Sequence, residues 1–211
     1  DNTHCDFVLY DELALGTLVY DNIVANNTVF RTTNPTIGAG FVIHGGNNTF
    51  TNCHVKKTGD FGTYAAFNLY YAVYTELFGC SAENTIDAIS LPNSSNCTID
   101  GFRGKSVGRA VTSLTGATGG HRILNSKFTH GGVGASDVAI LSSGVATGKN
   151  WYVGNTFSGF HTGIYIGDEP VALFGNISIS STYAGLRKAG SDISLQEFGG
   201  NSWDTAAPYE V

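Results

Sequence analysis

Asp87 and Arg109 are the two residues whose types and spacing come nearest to chemistry. Each stands two positions before an apolar anchor, Ile89 and Val111, and they are 22 residues apart. In a chain that repeats at that period they face each other. Such an acid and base form either a surface ion pair worth ~0–1 kcal/mol or an acid/base pair in a saccharide groove. Asp137 is a third candidate catalytic residue. Asp168 and Glu169 are adjacent and read as a solvated turn, because glycosidase chemistry needs two carboxyls facing across a sugar at ~5–10 Å. His54, His130 and His161 follow the apolar residues Phe50, Phe128 and Phe157 by four, two and four positions. They are expected on one side of the molecule, as surface histidines or as a general base. No GxSxG, HExxH or phosphate-loop motif occurs, and no cofactor is expected.

A second group is aromatic. Tyr70, Tyr71 and Tyr74 cannot all point inward on a strand of period two. They are read as core and corner packing, as an interface between subunits, or as a platform on which sugar rings stack. His161, Thr162 and Tyr165 are read as outward positions free to vary, and His161 and Tyr165 join the tyrosines as candidate glycan or interface residues. Cysteines offer less. Cys53 and Cys80 each follow an apolar residue (Phe50, Leu77) by three, so they stack on consecutive turns, with Phe102 and Phe160 in the same place later. They form a buried ladder or a disulfide, since stacked strands lie ~4.8 Å apart. Zinc through Cys53, His54 and Cys80 fits poorly, as neighbours on a strand point to opposite sides. No stack of three carboxylates offers a calcium site, and no metal is expected.

The element that positions all of these is a repeat. The pattern small, apolar, variable, apolar occurs at Gly40–Ile43, Ala66–Leu69, Ala88–Leu91, Ala139–Leu141 and Gly163–Ile166. Its anchors Phe41, Phe67, Ile89, Val111, Ile140, Ile164 and Leu186 are 26, 22, 22, 29, 24 and 22 residues apart. A second anchor series reads Phe30, Phe50, Leu77, Ile99, Phe128, Phe157 and Ile179, with a polar corner before it at Asn27, Asn48, Asn96, Asn125, Asn155 and Asn176. A third, weaker strand shows at Leu18–Tyr20, Ile123-Leu124, Trp151–Val153 and Val171–Phe174. A mean period of roughly 24 residues is solenoid length. The expected fold is all-β: a right-handed parallel β-helix of about seven turns over residues 23–190. Residues 1–22 are read as an N-terminal cap or linker and 191–211 as a C-terminal cap or tail. Repeated Asn at one corner is expected to form an amide ladder.

Composition agrees. Charged residues are 13% and glycines number 28 in 211 residues, about half and twice the usual shares. Glycine and asparagine supply the turn conformations that many tight corners need. A net charge of −6 without a basic run argues against nucleic acid and anionic membranes as partners. No apolar run approaches the ~18 residues of a membrane span. The lack of any Met reads as a fragment or processed product.

The stretches NTFSGFHTGIYI (Asn155–Ile166) and NNTFTNCHV (Asn47–Val55), with the spaced strands, resemble the pectin-lyase-like parallel β-helix superfamily. Within it they are most like phage tailspikes and viral appendage proteins. The resemblance implies a virion or extracellular structural module, a homotrimer that binds a host-surface polysaccharide or neighbouring virion proteins. A polysaccharide lyase or glycoside hydrolase, using Asp87, Arg109 and Asp137, is the alternative from another class. A secreted or cell-surface adhesin is the third.

Overall fold

The computed structural model describes residues 24–26, 29–32, 39–57, 65–113, 119–131, 137–143, 148–189, 195–203 and 209–210. The expected cap at 1–22, Cys5 and Asn27 lie outside them. The chain is a parallel β-solenoid. It winds through three eight-stranded sheets, here called A, B and C in the order the chain visits them, and every strand pairs in parallel with its counterpart one turn away. About six turns are sandwiched between the two end rungs, where the anchor spacing predicts seven. The strands Leu195–Glu197, Ser202–Trp203 and Tyr209–Glu210 add a last rung.

The first anchor series is sheet C. Phe41 pairs with Phe67, Phe67 with Ile89, Ile89 with Val111, Val111 with Ile140, Ile140 with Ile164 and Ile164 with Leu186. Six of these seven are fully buried and Leu186 nearly so, so one inward column runs the length of the solenoid. The small residue before each anchor sits where sheet C bends against sheet B. A Cβ on Gly40 would lie 2.7 Å from Val55 Cγ1, and one on Gly185 2.5 Å from Trp203 Cβ.

The second expected series merges two sheets. Phe50, Leu77 and Ile99 belong to sheet A, where they continue into Ile123, Tyr152 and Leu173. Phe128 and Phe157 belong to sheet B, whose inward column includes Val55, Ala82 and Gly104. Ile179 is not an anchor: Ser178 holds the inward place opposite Phe157, and Ile179 is exposed. Strands of three residues leave no period to tell one sheet from the next, which is why the series crossed over.

Sheets A and B meet at a two-residue corner. Its first residue is left-handed in every described turn: Asn52, Gly79, Gly101, Asn125, Gly154, Gly175 and Gly200 have φ between 48° and 70°. Only Gly and Asn adopt that conformation readily. The second residue points inward and stacks. The column runs Cys53, Cys80, Phe102, Ser126, Asn155, Asn176, each carbonyl accepting a backbone N–H of the next turn. Phe160 instead lies at the B–C corner. Cys53 and Cys80 are buried free thiols in hydrogen-bond contact, not a disulfide, and Cys97 is a third.

The expected amide ladder is present in the last turns of this column. Asn155 Oδ1 accepts from the Ser126 N–H at 3.1 Å, while its Nδ2 donates to Ile123 O at 2.7 Å and Asn176 Oδ1 at 3.0 Å. Asn176 repeats the arrangement with Tyr152 O and Asn201. Asn48 and Asn150 are buried at the corner that leads into sheet A instead, and Asn125 is a left-handed corner residue.

Candidate functional sites

Register brings Asp87 and Arg109 together as expected. They pair directly in sheet C. Arg109 Nε donates to Asp87 Oδ1 at 2.5 Å and Arg109 Nη2 to Oδ2 at 3.0 Å. Burial pushes the Asp87 carboxyl up, against the pull of Arg109. One turn on, His130 Nε2 stands 2.7 Å from Asp137 Oδ2 with both side chains largely buried. The approach is close but poorly aligned, because that oxygen completes no hydrogen bond. Burial also raises Asp137; His130, Arg109 and His161 draw it back. Arg109 thus sits electrostatically between two carboxylates. This B–C corner brings together all three candidate catalytic residues and His130.

His161 adjoins that corner. Its backbone N–H donates to Asp137 O at 3.0 Å, its Nδ1 is 2.9 Å from Thr182 Oγ1, and its ring stacks on Tyr183 at 4.9 Å. Arg187 lies 5.5 Å above the Tyr165 ring and 5.6 Å from that of Tyr183. Thr162, expected outward, is buried, because the alternation that turns Ile164 and Ile166 inward turns Thr162 inward with them. His54 opens its sheet B strand, at the A–B corner, whereas His130 closes its own at the B–C corner, and His54 Nδ1 is 2.7 Å from Ser81 Oγ. The three histidines therefore do not share a side.

Glu169 corrects the expected solvated turn. Asp168 is exposed, but Glu169 is fully buried. Its Oε2 accepts from the Ser142 hydroxyl and from Asn150 Nδ2 at 2.6 Å, while Tyr152 OH donates to Ser142 Oγ at 3.0 Å. Burial and the Glu169 charge push the Tyr152 phenol up. Adjacency in sequence gave no hint that the two acids face opposite ways.

Of the three tyrosines, Tyr71 and Tyr74 are 54% and 59% exposed. Both are left-handed, with φ of 54° and 52°, which throws their side chains out of the strand alternation. Tyr70 packs against Tyr71 at 4.5 Å. Tyr74 lines an open groove of about 290 Å³ with Glu76, Asn96, Thr98, Gly120 and Arg122. Its floor is an outward row of sheet A, Glu76, Thr98 and Arg122 in register, and the same row continues beyond the groove to Trp151. Trp151 is stacked on Phe198 at 6.0 Å and remains partly exposed. Trp151, Glu76 and Arg122 escaped the sequence reading. Their signal was register within sheet A, which the merged anchor series concealed.

Among the described residues no group of three His, Cys, Asp or Glu side chains is placed to hold a metal ion, and no helix is long and apolar enough to cross a membrane. No protein-family model, curated protein or solved structure matches the chain.

Proposed function

We propose that this chain is a viral structural module, the β-helical part of a tailspike or a virion appendage, that holds a host-surface glycan on the outer face of sheet A. The observation that carries the reading is the groove beside Tyr74, whose outward row Glu76, Thr98 and Arg122 continues to Trp151 one rung beyond it. Aromatic faces at either end suit the apolar faces of sugar rings. Glu76, Thr98 and Arg122 between them offer acceptors and donors to hydroxyls, one rung (~4.8 Å) apart. The resemblance to pectin-lyase-like viral β-helices supports the setting, a homotrimer on a virion. The test is a glycan array probed with the whole chain, then with Tyr74→Ala and Trp151→Ala. Binding that both variants lose supports the reading; binding that both keep, or none at all, removes it. Light scattering checks the trimer.

The B–C corner favours a second reading, a polysaccharide lyase or glycoside hydrolase. There Asp137, raised by burial, touches His130 beside the Asp87–Arg109 pair. Its signature is a fall in polysaccharide chain length that Asp137→Asn abolishes. A monomer with that activity would replace the first reading.

A further inference from the structure

The outer face of sheet B carries an unexpected concentration of positive charge. Arg103 and Lys127 occupy directly paired positions on consecutive rungs. Both are exposed, and among the described residues neither makes an ion pair. Like charges placed opposite one another in a sheet are destabilising. Two positions further along the strands, Lys56 and Lys105 flank Glu83, each 3.2 Å from the same Oε1. Partial burial opposes ionisation of Glu83, but the two lysines hold its carboxyl below the usual value. One carboxylate thus holds two of the cations in place and leaves the other two uncompensated. Four cations (Lys56, Arg103, Lys105, Lys127) against one carboxylate (Glu83) give this face a charge of +3, on a chain whose net charge is −6.

We infer that this face binds an anionic glycan laid along the solenoid axis, its carboxylates or sulfates resting on Arg103 and Lys127. A local rule broken without compensation inside the fold points to a ligand that supplies it. Arg103 and Lys127 stand one rung apart, ~4.8 Å, along a straight face, and an acidic polysaccharide presents charge at a regular step of about one sugar. Hydroxyls extend the row: Ser81 pairs with Arg103 on one side, Thr156 with Lys127 on the other. Duplex DNA, with a charge every ~1.7 Å, suits an acidic chain with so narrow a stripe poorly. Single strands want aromatic platforms, and the exposed aromatic side chains lie on other faces. The inference shares with the proposed function only the premise that the ligand is a glycan, and it concerns another face.

The test is affinity electrophoresis of the whole chain through gels containing polygalacturonate, dextran sulfate, neutral dextran or polyglutamate. Retardation by polygalacturonate, dextran sulfate or both, weakened by salt and absent with dextran, is expected. The two polymers tell carboxylate from sulfate recognition. Arg103→Glu and Lys127→Glu should each weaken retention about tenfold, with melting temperatures equal to or slightly above that of the parent chain, because each reversal replaces a like-charge pair with an opposite-charge one. Lys149→Glu, away from this face, should leave it intact. Tyr74→Ala and Trp151→Ala should leave it intact too, which separates this site from the sheet A groove. No retardation by either acidic glycan, retention that survives both charge reversals, or equal retardation by polyglutamate would overturn it.

Discussion

Arg109 grips Asp87 with two nitrogen donors across a single rung, at 2.5 and 3.0 Å. Arg109→Ala leaves a mostly buried carboxylate without its partner, and the expected loss is about 1–3 kcal/mol. The sign of its pH dependence follows from burial, which already raises Asp87 in the folded state. Without Arg109 the folded pKa rises further, so the folded chain binds the proton more tightly than the unfolded one. Stability of the variant therefore falls as pH rises through that folded pKa. Thermal melts at about pH 4 and pH 7 should show the smaller deficit at the lower pH.

His121 titrates in the opposite sense. It is buried in the corner column before sheet A, where the Cys97 N–H donates to its Nδ1 at 3.3 Å and its Nε2 has no partner. Burial lowers its pKa to about 4. The stability this neutral ring contributes is complete above the unfolded value of ~6.5 and is lost as pH falls toward 4, about 3 kcal/mol in all. Denaturant titrations between pH 7 and pH 4 should show a slope that is shallower by about one proton in His121→Asn.

Asn155→Ala should be among the costliest polar substitutions. It orphans the buried Ser126 N–H and removes the amide donor that reaches the Ile123 carbonyl, for about 1–3 kcal/mol. Asn125→Ala, at an exposed left-handed position, should cost less. Urea unfolding of the two variants side by side checks the order.

The corners predict a rescue. Asn125 Oδ1 lies 2.9 Å from the point a Cβ on Gly154 would occupy, and Asn52 Oδ1 stands 2.7 Å from the same point on Gly79. Asparagine on one rung therefore demands glycine on the next. Gly154→Asn should destabilise by about 1–2 kcal/mol, and adding Asn125→Gly should restore most of it. A double-mutant cycle in melting temperature reads the coupling.

The thiols should be silent until the chain unfolds. Burial pushes Cys97 up to about 12. Cys80 is raised too, chiefly by its hydrogen bond with Cys53 and then by burial. A disulfide reagent at neutral pH should label Cys53, Cys80 and Cys97 only in denaturant. A labelled Cys53 or Cys80 in the native state would show that the corner opens.

The sheet C column and the Asp87–Arg109 contact were legible in the sequence because five-residue strands with two inward apolar positions mark their own register. Sheets A and B were not separable. Their strands show a single inward residue, and a lone Phe or Leu carries no phase. That ambiguity hid Glu76, Arg122 and Trp151, as well as the pairing of Arg103 with Lys127. Glu169 was missed for a different reason. Whether a carboxylate at a turn faces solvent depends on Ser142 and Asn150, which lie 27 and 19 residues away in the chain.

The amide ladder has a direction. Asn155 satisfies the N–H of Ser126 from the rung that follows it, Asn176 does so for Asn155, and Asn201 for Asn176. No corner in this half of the solenoid is complete until its successor has docked. A chain emerging from its N-terminal side thus always carries one unfinished corner at the growing edge, which is a template for the rung still to come. At the last described corner of this column the side chain takes a different route: Asn201 Nδ2 donates to Glu197 at 3.0 Å, a carboxylate four residues earlier, where Asn155 and Asn176 donate to the amide oxygen of the rung that follows.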